Sequence, residues 1–333
     1  MSKLIIQNGN MCELDLPLKF AQKLYNEFAI RHPNAFYLRT RQRGMQNWDG
    51  KIHYITKTGQ FKIGLLPKVY DMCIEMGIKP KVVDMRQPLP KVSKVVTNIG
   101  KYKLRPEQEK AVKSVINNRV GDTPFHIGVL DYTVNAGKTL IMSSLYLTYK
   151  KQLKTLLITN DSDWLNQARE EFKQYLPGED ITFVQGKVLN WSNFTIGMVQ
   201  SISRNMRFYQ KELSQIDMVL VDEADQGGSK QYQNVITRLF NTRIRIGLSG
   251  TIYMSKLAKD KVKNMNLECF FGKVIAEFKL KDSIKKGYST KTIVKMVPGK
   301  PWYGNWESDC ISYKEIYDDS ITENNTAWTM AYN

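Results

Sequence analysis

The sequence Val134-Asn135-Ala136-Gly137-Lys138-Thr139 lies between an apolar run at 125–130 and a helical pattern at 139–149. A Gly-Lys-Thr turn between a strand and a helix presents backbone N–H groups and an ammonium group to phosphates, and its hydroxyl can bind magnesium. The full phosphate-loop pattern would need a glycine where this chain has Tyr132, so one residue departs from it. Taken alone, the turn could also be an ordinary helix N-terminus with a surface lysine.

A second motif, Val219-Leu220-Val221-Asp222-Glu223-Ala224-Asp225, ends an apolar strand in acidic residues. We expect Asp222 to hold magnesium together with Thr139, and Glu223 to position or deprotonate the attacking water. A solvated acidic turn is the alternative, but it does not explain the apolar run before the acids. The two motifs together predict an ATP site with Mg²⁺, in which Asn135, Ala136, Gly137 and Lys138 surround the phosphates.

The surrounding chain alternates strand and helix patterns, which predicts an α/β fold. Further apolar strands are expected at 155–159, 194–199, 218–221 and 245–248. Such alternation is typical of a parallel sheet with helices on both faces. Ligands bind such sheets at the C-terminal strand ends, where both halves of the predicted ATP site lie.

The N-terminal third has a different pattern, which predicts a small α/β module. Asn8-Gly9-Asn10 favours a tight hairpin turn between two strands. Apolar residues at helical spacing from Leu18 to Phe28 predict one helix, and 66–76 predict another. Residues 89–100 follow Pro88 and indicate a linker. Near the other end, we expect a short helix at 280–286 and a strand at 292–297.

The charge indicates the partner. The formal net charge is +17, and residues 1–100 carry 16 Lys and Arg against 7 Asp and Glu. This excess favours a polyanion, with nucleic acid ahead of an anionic membrane surface. The scattered cysteines and the absence of a signal peptide or a long apolar run predict a cytoplasmic protein with reduced thiols and no membrane span. The three dispersed histidines argue against a histidine-based metal site.

Further motifs occur in the order found in superfamily 2 helicases, which this chain resembles. Leu104-Arg105-Pro106-Glu107-Gln108 is similar to their adenine-reading element, which implies nucleotide contacts for Arg105 and Gln108. The elements containing Gln167 and Gln200 resemble motifs that touch nucleic acid, although Gly197 replaces the usual threonine. Gly247-Leu248-Ser249-Gly250-Thr251 is similar to the motif that couples ATP to strand movement, which implies that role for Ser249 and Thr251.

The N-terminal module narrows the resemblance to the UvsW-like phage recombination helicases. Arg39, Arg41, Arg43 and the element Asn47-Trp48-Asp49-Gly50-Lys51 match that group, which implies DNA contacts for the three arginines, Trp48 and Lys51. On a strand, the alternating arginines would face one side. An edge strand kept soluble by charge and a core position for Trp48 are the alternatives. The group acts on branched DNA in recombination, repair and replication, which implies a branched or single-stranded DNA partner in the host cytoplasm.

The resemblance also implies a domain plan. We expect a DNA-recognition domain at 1–88, a linker at 89–100, a RecA-like P-loop domain at 101–276, and a segment at 277–333 leading toward a second RecA-like domain. No pattern of that second domain occurs in the sequence, so we expect a shortened form that binds nucleotide but hydrolyses ATP slowly. An RNA-remodelling ATPase and a non-motor DNA-binding adaptor with a degenerate nucleotide site are the alternative functions.

Overall fold

Two separate β-sheets organise the chain, as seen in a computed structural model. It describes residues 2–41, 44–92, 94–149, 152–188, 191–252 and 260–291. The described residues up to Ser289 form one compact unit. Arg43, Cys310 and the strand expected at 292–297 lie outside the described residues. No helix within the described ranges is long and apolar enough to cross a membrane.

The first sheet is built from the N-terminal residues. Its region contains β1 (Lys3–Ile6), β2 (Met11–Asp15), α1 (Leu18–Glu27), β3 (Ala29–Arg31), α2 (Ala35–Arg41), β4 (Lys51–His53), β5 (Gln60–Lys62), α3 (Leu66–Glu75) and β6 (Lys81–Asp84). The strand order is β5-β2-β1-β6, and β3 pairs separately with β4. The hairpin across Asn8-Gly9-Asn10 is confirmed, because Ile6 pairs with Cys12 in an antiparallel ladder.

Both predicted N-terminal helices are present. Leu24 and Phe28 of the first helical pattern are buried, whereas Leu18 is 87% exposed, so its placement on the apolar face was wrong. Leu18 is the first residue of α1, and its side chain lies beyond the part of the helix that packs on the sheet. In α3, Val69 and Cys73 are fully buried, as their spacing predicts.

The second region carries the remaining elements. They are β7 (Asn98–Ile99), β8 (Tyr102–Lys103), α4 (Pro106–Asn117), β9 (Arg119–Val120), β10 (Thr123–Pro124), β11 (His126–Tyr132), α5 (Lys138–Thr148), β12 (Thr155–Thr159), α6 (Ser162–Tyr175), β13 (Ile181–Val184), β14 (Phe194–Met198), α7 (Val199–Arg204), α8 (Gln210–Ser214), β15 (Met218–Asp222), α9 (Lys230–Ile236), β16 (Ile244–Ser249), α10 (Asp260–Phe271), β17 (Val274–Phe278) and α11 (Leu280–Lys285).

A seven-stranded sheet forms the centre of this region, in the order β13-β14-β12-β15-β16-β11-β17. All neighbouring strands are parallel, which confirms the predicted fold class. Alternate side chains of β12 enter opposite cores: Leu156 and Ile158 lie in one apolar cluster and Leu157 in the other. The edge strands β13 and β17 were not predicted, and β17 runs through residue 276, where we placed the end of the domain.

The segment predicted as a linker is packed against the large sheet. Leu89, Val92 and Val96 contact the apolar cluster that contains α4 and α5. The Val96 carbonyl accepts a hydrogen bond from Ser144 Oγ at 2.6 Å, and its N–H donates to Thr148 Oγ1 at 3.2 Å. These contacts hold the segment along α5.

The arginine-rich segment of the N-terminal module is a helix. Arg39 and Arg41 lie in the last turn of α2, so the strand on which we expected all the arginines to face one side is absent. On a helix, residues two apart point in nearly opposite directions. Backbone N–H groups of this segment donate to carbonyls three or four residues back, as for Leu38 and Asn34 at 3.0 Å.

A buried arginine joins the two sheets. Arg245, in the central strand β16, has no exposed surface, and burial lowers its pKa to about 9, so it is charged at neutral pH. Its Nη2 donates to the Gly9 carbonyl at 2.6 Å and to Asn10 Oδ1 at 2.8 Å, and its Nη1 donates to the Phe270 carbonyl at 3.2 Å. The N-terminal hairpin turn is therefore fastened to the centre of the large sheet.

We expect Arg245→Met to destabilise the protein by about 3 kcal/mol or more, because it fills the volume but leaves three buried acceptors without a donor. Arg238→Met is the matched control, since Arg238 is exposed and its replacement should stay within about 0.5 kcal/mol. Urea unfolding of both variants measures the difference. Equal stability of the two variants would contradict a structural role for the buried guanidinium.

Candidate nucleotide and nucleic-acid sites

The phosphate loop connects β11 to α5 with an unusual backbone. Asn135 and Gly137 have φ of 63° and 73°, which places both in the left-handed region. The helix begins at Lys138, so its first N–H groups and its positive dipole end point toward the loop. Tyr132, the departure from the full pattern, is completely buried, and its hydroxyl donates to the Glu107 carbonyl at 2.8 Å. Its side chain is directed into the core, so it leaves the loop free.

Gln108 holds the loop from below. Its Nε2 donates to the Ala136 carbonyl at 2.9 Å, and its Oε1 accepts from the Arg105 N–H at 2.8 Å. The side chain is 1% exposed, and both ends of its amide are engaged within the protein. Adenine recognition by Gln108 stays a prediction, because it requires the amide to exchange these partners for the base edge.

Arg105 lies between the loop and a group of residues that the sequence analysis did not assign to the site. Its Nη2 donates to the Asn135 carbonyl at 3.2 Å, and its guanidinium stacks 4.2 Å from the centre of the Tyr288 ring. Glu107 lies 3.2 Å from Arg105 Nε and 2.8 Å from Lys286 Nζ. The hydrogen bond with Glu107 raises the pKa of Lys286. The segment after β17 thus closes one side of the nucleotide site.

The acidic motif meets the phosphate loop at the ends of β11 and β15. Lys138 Nζ lies 3.0 Å from Glu223 Oε1 and 3.6 Å from Asp222 Oδ1. Burial raises the pKa of the Asp222 carboxyl above its ordinary value, the positive charge of Lys138 opposes that rise, and the negative charge of Glu223 adds to it. Asp222 therefore binds a proton at a higher pH than an ordinary aspartate, and the protonated form is a poor cation ligand.

The donor set fits a magnesium ion that arrives with a nucleotide. Asp222 Oδ1 is buried and has no hydrogen-bond partner, so an added cation would satisfy it. The Thr139 hydroxyl belongs to the first turn of α5, on the neighbouring loop. Magnesium in proteins is often bound by one or two carboxylates together with substrate phosphates.

The predicted coupling residues contact the acidic motif. Ser249, the last residue of β16, donates from Oγ to Asp225 Oδ1 at 3.1 Å, and Thr251 donates its N–H to Ser249 Oγ at 3.2 Å. β16 is the neighbour of β15 in the sheet. A displacement of the Asp222–Asp225 segment would therefore be passed to the loop after β16.

Gln167 and Gln200 belong to elements that follow adjacent strands. Gln200, at the start of α7, donates from Nε2 to the Asn160 carbonyl after β12 at 3.3 Å, and its Oε1 is buried without a partner. Gln167 is exposed on α6, where its Nε2 donates to Glu171 Oε1 at 2.6 Å. Both lie on the side of the sheet that carries the phosphate loop, and their DNA contacts stay a prediction.

The N-terminal module has a basic pocket of about 540 Å³ that includes part of the predicted DNA site. Arg39 and Lys51 line it together with Arg31 and Phe36, which the sequence analysis missed. Phe36 is 79% exposed although it is a large apolar residue. The helical form of 35–41 explains the omission, because it places Phe36 and Arg39, three residues apart, on one face.

Arg41 and Trp48 are not in the lining of this pocket. Arg41 lies 5.2 Å from the centre of the Tyr37 ring. Trp48 is partly exposed; its indole Nε1 donates to the Lys51 carbonyl at 2.9 Å, and its ring meets His32 edge-on at 5.7 Å. Trp48 therefore shapes the loop that carries Lys51.

We expect Gly137→Ala to abolish nucleotide binding, because a Cβ there would lie 2.3 Å from Gln108 Nε2 and the residue would be strained at φ 73°. Gly178→Ala is the matched control: it has φ 78° but no atom within 4 Å of the added carbon. Titration with a fluorescent ATP analogue and Mg²⁺ compares the two variants. Equal affinities would show that the loop tolerates a side chain at 137.

Comparison with known proteins places the phosphate loop and the acidic motif in one family domain. Residues 101–254 match the family model described as "Type III restriction enzyme, res subunit". The ATP-dependent DNA helicase uvsW of Enterobacteria phage T4 is 22% identical over 228 residues, which cover 62% of this chain and 43% of that protein. The chain thus spans less than half the length of this curated relative.

Solved structures of the UvsW helicase from bacteriophage T4 share the fold. One aligns with a TM-score of 0.63 at 21% identity over 84% of this chain and 99% of that chain, and another with a TM-score of 0.62 at 20% identity over 82% and 56%. Both alignments extend beyond residues 101–254, since each covers more than four fifths of the chain. Over residues 101–254, therefore, the chain is a superfamily 2 helicase domain of the family described as the res subunit of type III restriction enzymes, and it is homologous to UvsW.

Proposed function

We propose that this chain provides the ATP-binding motor domain and the DNA-recognition module of an ATP-dependent DNA helicase. The observation that supports this proposal best is the position of Lys138, which contacts Asp222 and Glu223 although 84 residues (222 − 138) separate it from the first of them. This contact brings a phosphate-binding ammonium and two carboxylates to adjacent strand ends. Phosphoryl transfer requires that combination.

Each group has a separate task in this proposal. The N–H groups at the start of α5 and the Lys138 ammonium bind the phosphates, and Lys138 then exchanges its two carboxylate contacts for phosphate oxygens. Asp222 and Thr139 hold Mg²⁺, which neutralises charge on the phosphates when bound. Glu223 then orients the attacking water or accepts its proton. Arg105 and Gln108 lie on the side of the loop where the base and ribose would bind.

The proposed substrate is branched or single-stranded DNA, handled during phage recombination, repair and replication. The net positive charge of the N-terminal third and the basic pocket around Arg39 and Lys51 support DNA recognition by that module. The hydrogen bonds of Arg245 fasten the module to the motor sheet, so DNA held in the pocket would be fixed relative to the ATP site. The T4 relative is named as a DNA helicase, which supports DNA as the polyanion.

We expect Lys138→Ala and Glu223→Gln to impair different steps. Lys138→Ala removes the phosphate-binding charge and should weaken Mg-ATP binding, whereas Glu223→Gln keeps the shape of the side chain and should retain binding while slowing hydrolysis about 10²-fold or more. Nucleotide titrations and single-turnover hydrolysis with DNA measure the two effects. Lys230→Gln, an exposed residue of α9, is the control.

Two results would count against the proposal. Normal turnover in Glu223→Gln would remove that residue from the chemistry, and failure of the wild-type chain to bind Mg-ATP would favour a non-motor adaptor. RNA and DNA are compared in the same assay. Stimulation by RNA equal to that by DNA would favour an RNA-remodelling ATPase.

We expect the pocket in the N-terminal module to bind DNA through Arg31, Arg39 and Lys51. Replacing all three with Gln should weaken binding to a forked duplex and reduce the slope of log K against log salt by about 1 for each phosphate that the protein no longer neutralises. Lys19→Gln with Lys23→Gln, on the exposed side of α1, is the matched control for charge. An unchanged affinity and salt slope in the triple variant would contradict a DNA-binding role for the pocket.

A further inference from the structure

A second basic groove lies on the motor domain, in the region of α7, α8 and α9. Its volume is about 720 Å³, and its lining includes Arg204, Arg207, Phe208 and Arg238. None of these residues belongs to a motif singled out in the sequence. No carboxylate is among the lining residues, so the groove is strongly positive.

The three arginines are available to a ligand. All three are exposed, and within the described ranges none of them forms an ion pair with a carboxylate. Most surface arginines in a protein with 32 acidic residues have a carboxylate nearby to offset their charge. Three unneutralised guanidinium groups around one concavity form a favourable site for phosphate oxygens.

The turn that carries Arg207 and Phe208 is rigid. Tyr209, the next residue, is 1% exposed; its hydroxyl accepts from the Val188 N–H at 2.9 Å and donates to the Gly186 carbonyl at 3.1 Å. Asn205 Nδ2 donates to the Ser201 carbonyl at 2.9 Å, which ties the turn to α7. Rigid support reduces the entropy lost when a ligand binds.

An aromatic ring lies among these charges. Phe208 is 58% exposed, and Lys187 Nζ lies 3.5 Å from the centre of its ring. A phenylalanine in this position gains little from the protein core, whereas its face can stack on an unpaired base. Basic grooves with exposed aromatic rings are typical of proteins that bind single strands.

The groove is separate from both sites described above. α7 and α9 lead away from the C-terminal strand ends that carry the phosphate loop and the acidic motif, and Arg204 and Arg238 lie at or just beyond the far ends of these helices. Beside Arg238, the Thr237 carbonyl accepts a hydrogen bond from Asn10 Nδ2 at 3.1 Å. The groove therefore borders the N-terminal hairpin turn, on the face of the sheet opposite α4.

We propose that this groove binds a segment of single-stranded DNA, with phosphates on Arg204, Arg207 and Arg238 and one unpaired base stacked on Phe208. The proposal rests on the DNA partner of the proposed function and adds a second point of contact. An exposed ring favours an unpaired base over a duplex, because bases in a duplex already stack on each other. The groove would hold one displaced strand while the N-terminal pocket contacts the rest of a branched DNA.

The test measures binding of a fluorescein-labelled 20-nucleotide single strand and a duplex of the same sequence by anisotropy over a range of salt concentrations. Arg204→Gln with Arg207→Gln should reduce the single-strand salt slope by about 2, or about 1 for each arginine replaced. Phe208→Ala should weaken single-strand binding about fivefold or more and leave duplex binding nearly unchanged. Lys110→Gln with Lys113→Gln, on exposed positions of α4, is the charge-matched control and should change little.

A second readout locates the bound strand directly. Single strands containing 5-iododeoxyuridine are crosslinked to the wild-type chain, and we expect the tryptic peptide of residues 208–211 to carry the crosslink. Absence of this peptide, or groove variants that match the lysine control in affinity and slope, would overturn the proposal. Loss of binding to vesicles containing phosphatidylserine, with DNA binding intact, would overturn it in favour of a membrane surface.

The same experiment separates this proposal from the proposed function. If the triple variant of the N-terminal pocket loses DNA binding while the groove variants do not, the groove proposal fails and the DNA-binding function stands. If the wild-type chain binds neither the single strand nor the duplex, both fail.

Discussion

The guanidinium of Arg245 is the contact on which the arrangement of the two sheets depends. A charged group in a core is costly unless its hydrogen bonds are made, and three oxygens from two different parts of the chain satisfy most of this one. Close main-chain packing surrounds it: a Cβ on Gly9 would lie 2.6 Å from the Leu239 carbonyl, and one on Gly64 would lie 2.1 Å from the Glu268 carbonyl. The N-terminal module is thus fitted to the motor sheet by its backbone, which leaves little freedom for independent movement.

The nucleotide site depends on the same sheet in a different way. Parallel strands bring β11, β15 and β16 to one edge, and the phosphate loop, the acidic motif and Ser249 follow directly from their ends. Lys138 bridges the first two through its carboxylate contacts, and Ser249 joins the third through Asp225. Gln108 and Arg105 support the loop from α4, while Tyr288 and Lys286 enclose them from the segment after β17. The site is therefore assembled from parts of the chain that lie far apart in sequence.

The sequence predicted the central strands well and the edges poorly. β12, β14, β15 and β16 are continuous apolar runs because they are covered on both faces, and such runs are easy to recognise. β13 and β17 lie at the edges and have mixed burial, so their residues show no comparable run. The segment 35–41 was misjudged because alternation of arginines resembles a strand, whereas exposed charges place little constraint on backbone conformation. The residues 89–100 contain prolines and polar side chains like a linker, yet their valines find an apolar surface that only the folded protein provides.

By itself the sequence determined the class of the fold, the phosphate loop, the acidic pair and the basic character of the N-terminal third, because each depends on neighbouring residues or on summed charge. Only the tertiary structure decided which distant groups meet. It buried Arg245 against Asn10, directed Tyr132 into the core and engaged both ends of the Gln108 amide. It also gathered Arg31 and Phe36 into one pocket and Arg204, Arg207 and Arg238 into another. Such contacts depend on the packing of whole elements, and no local pattern encodes the position of a partner more than a hundred residues away.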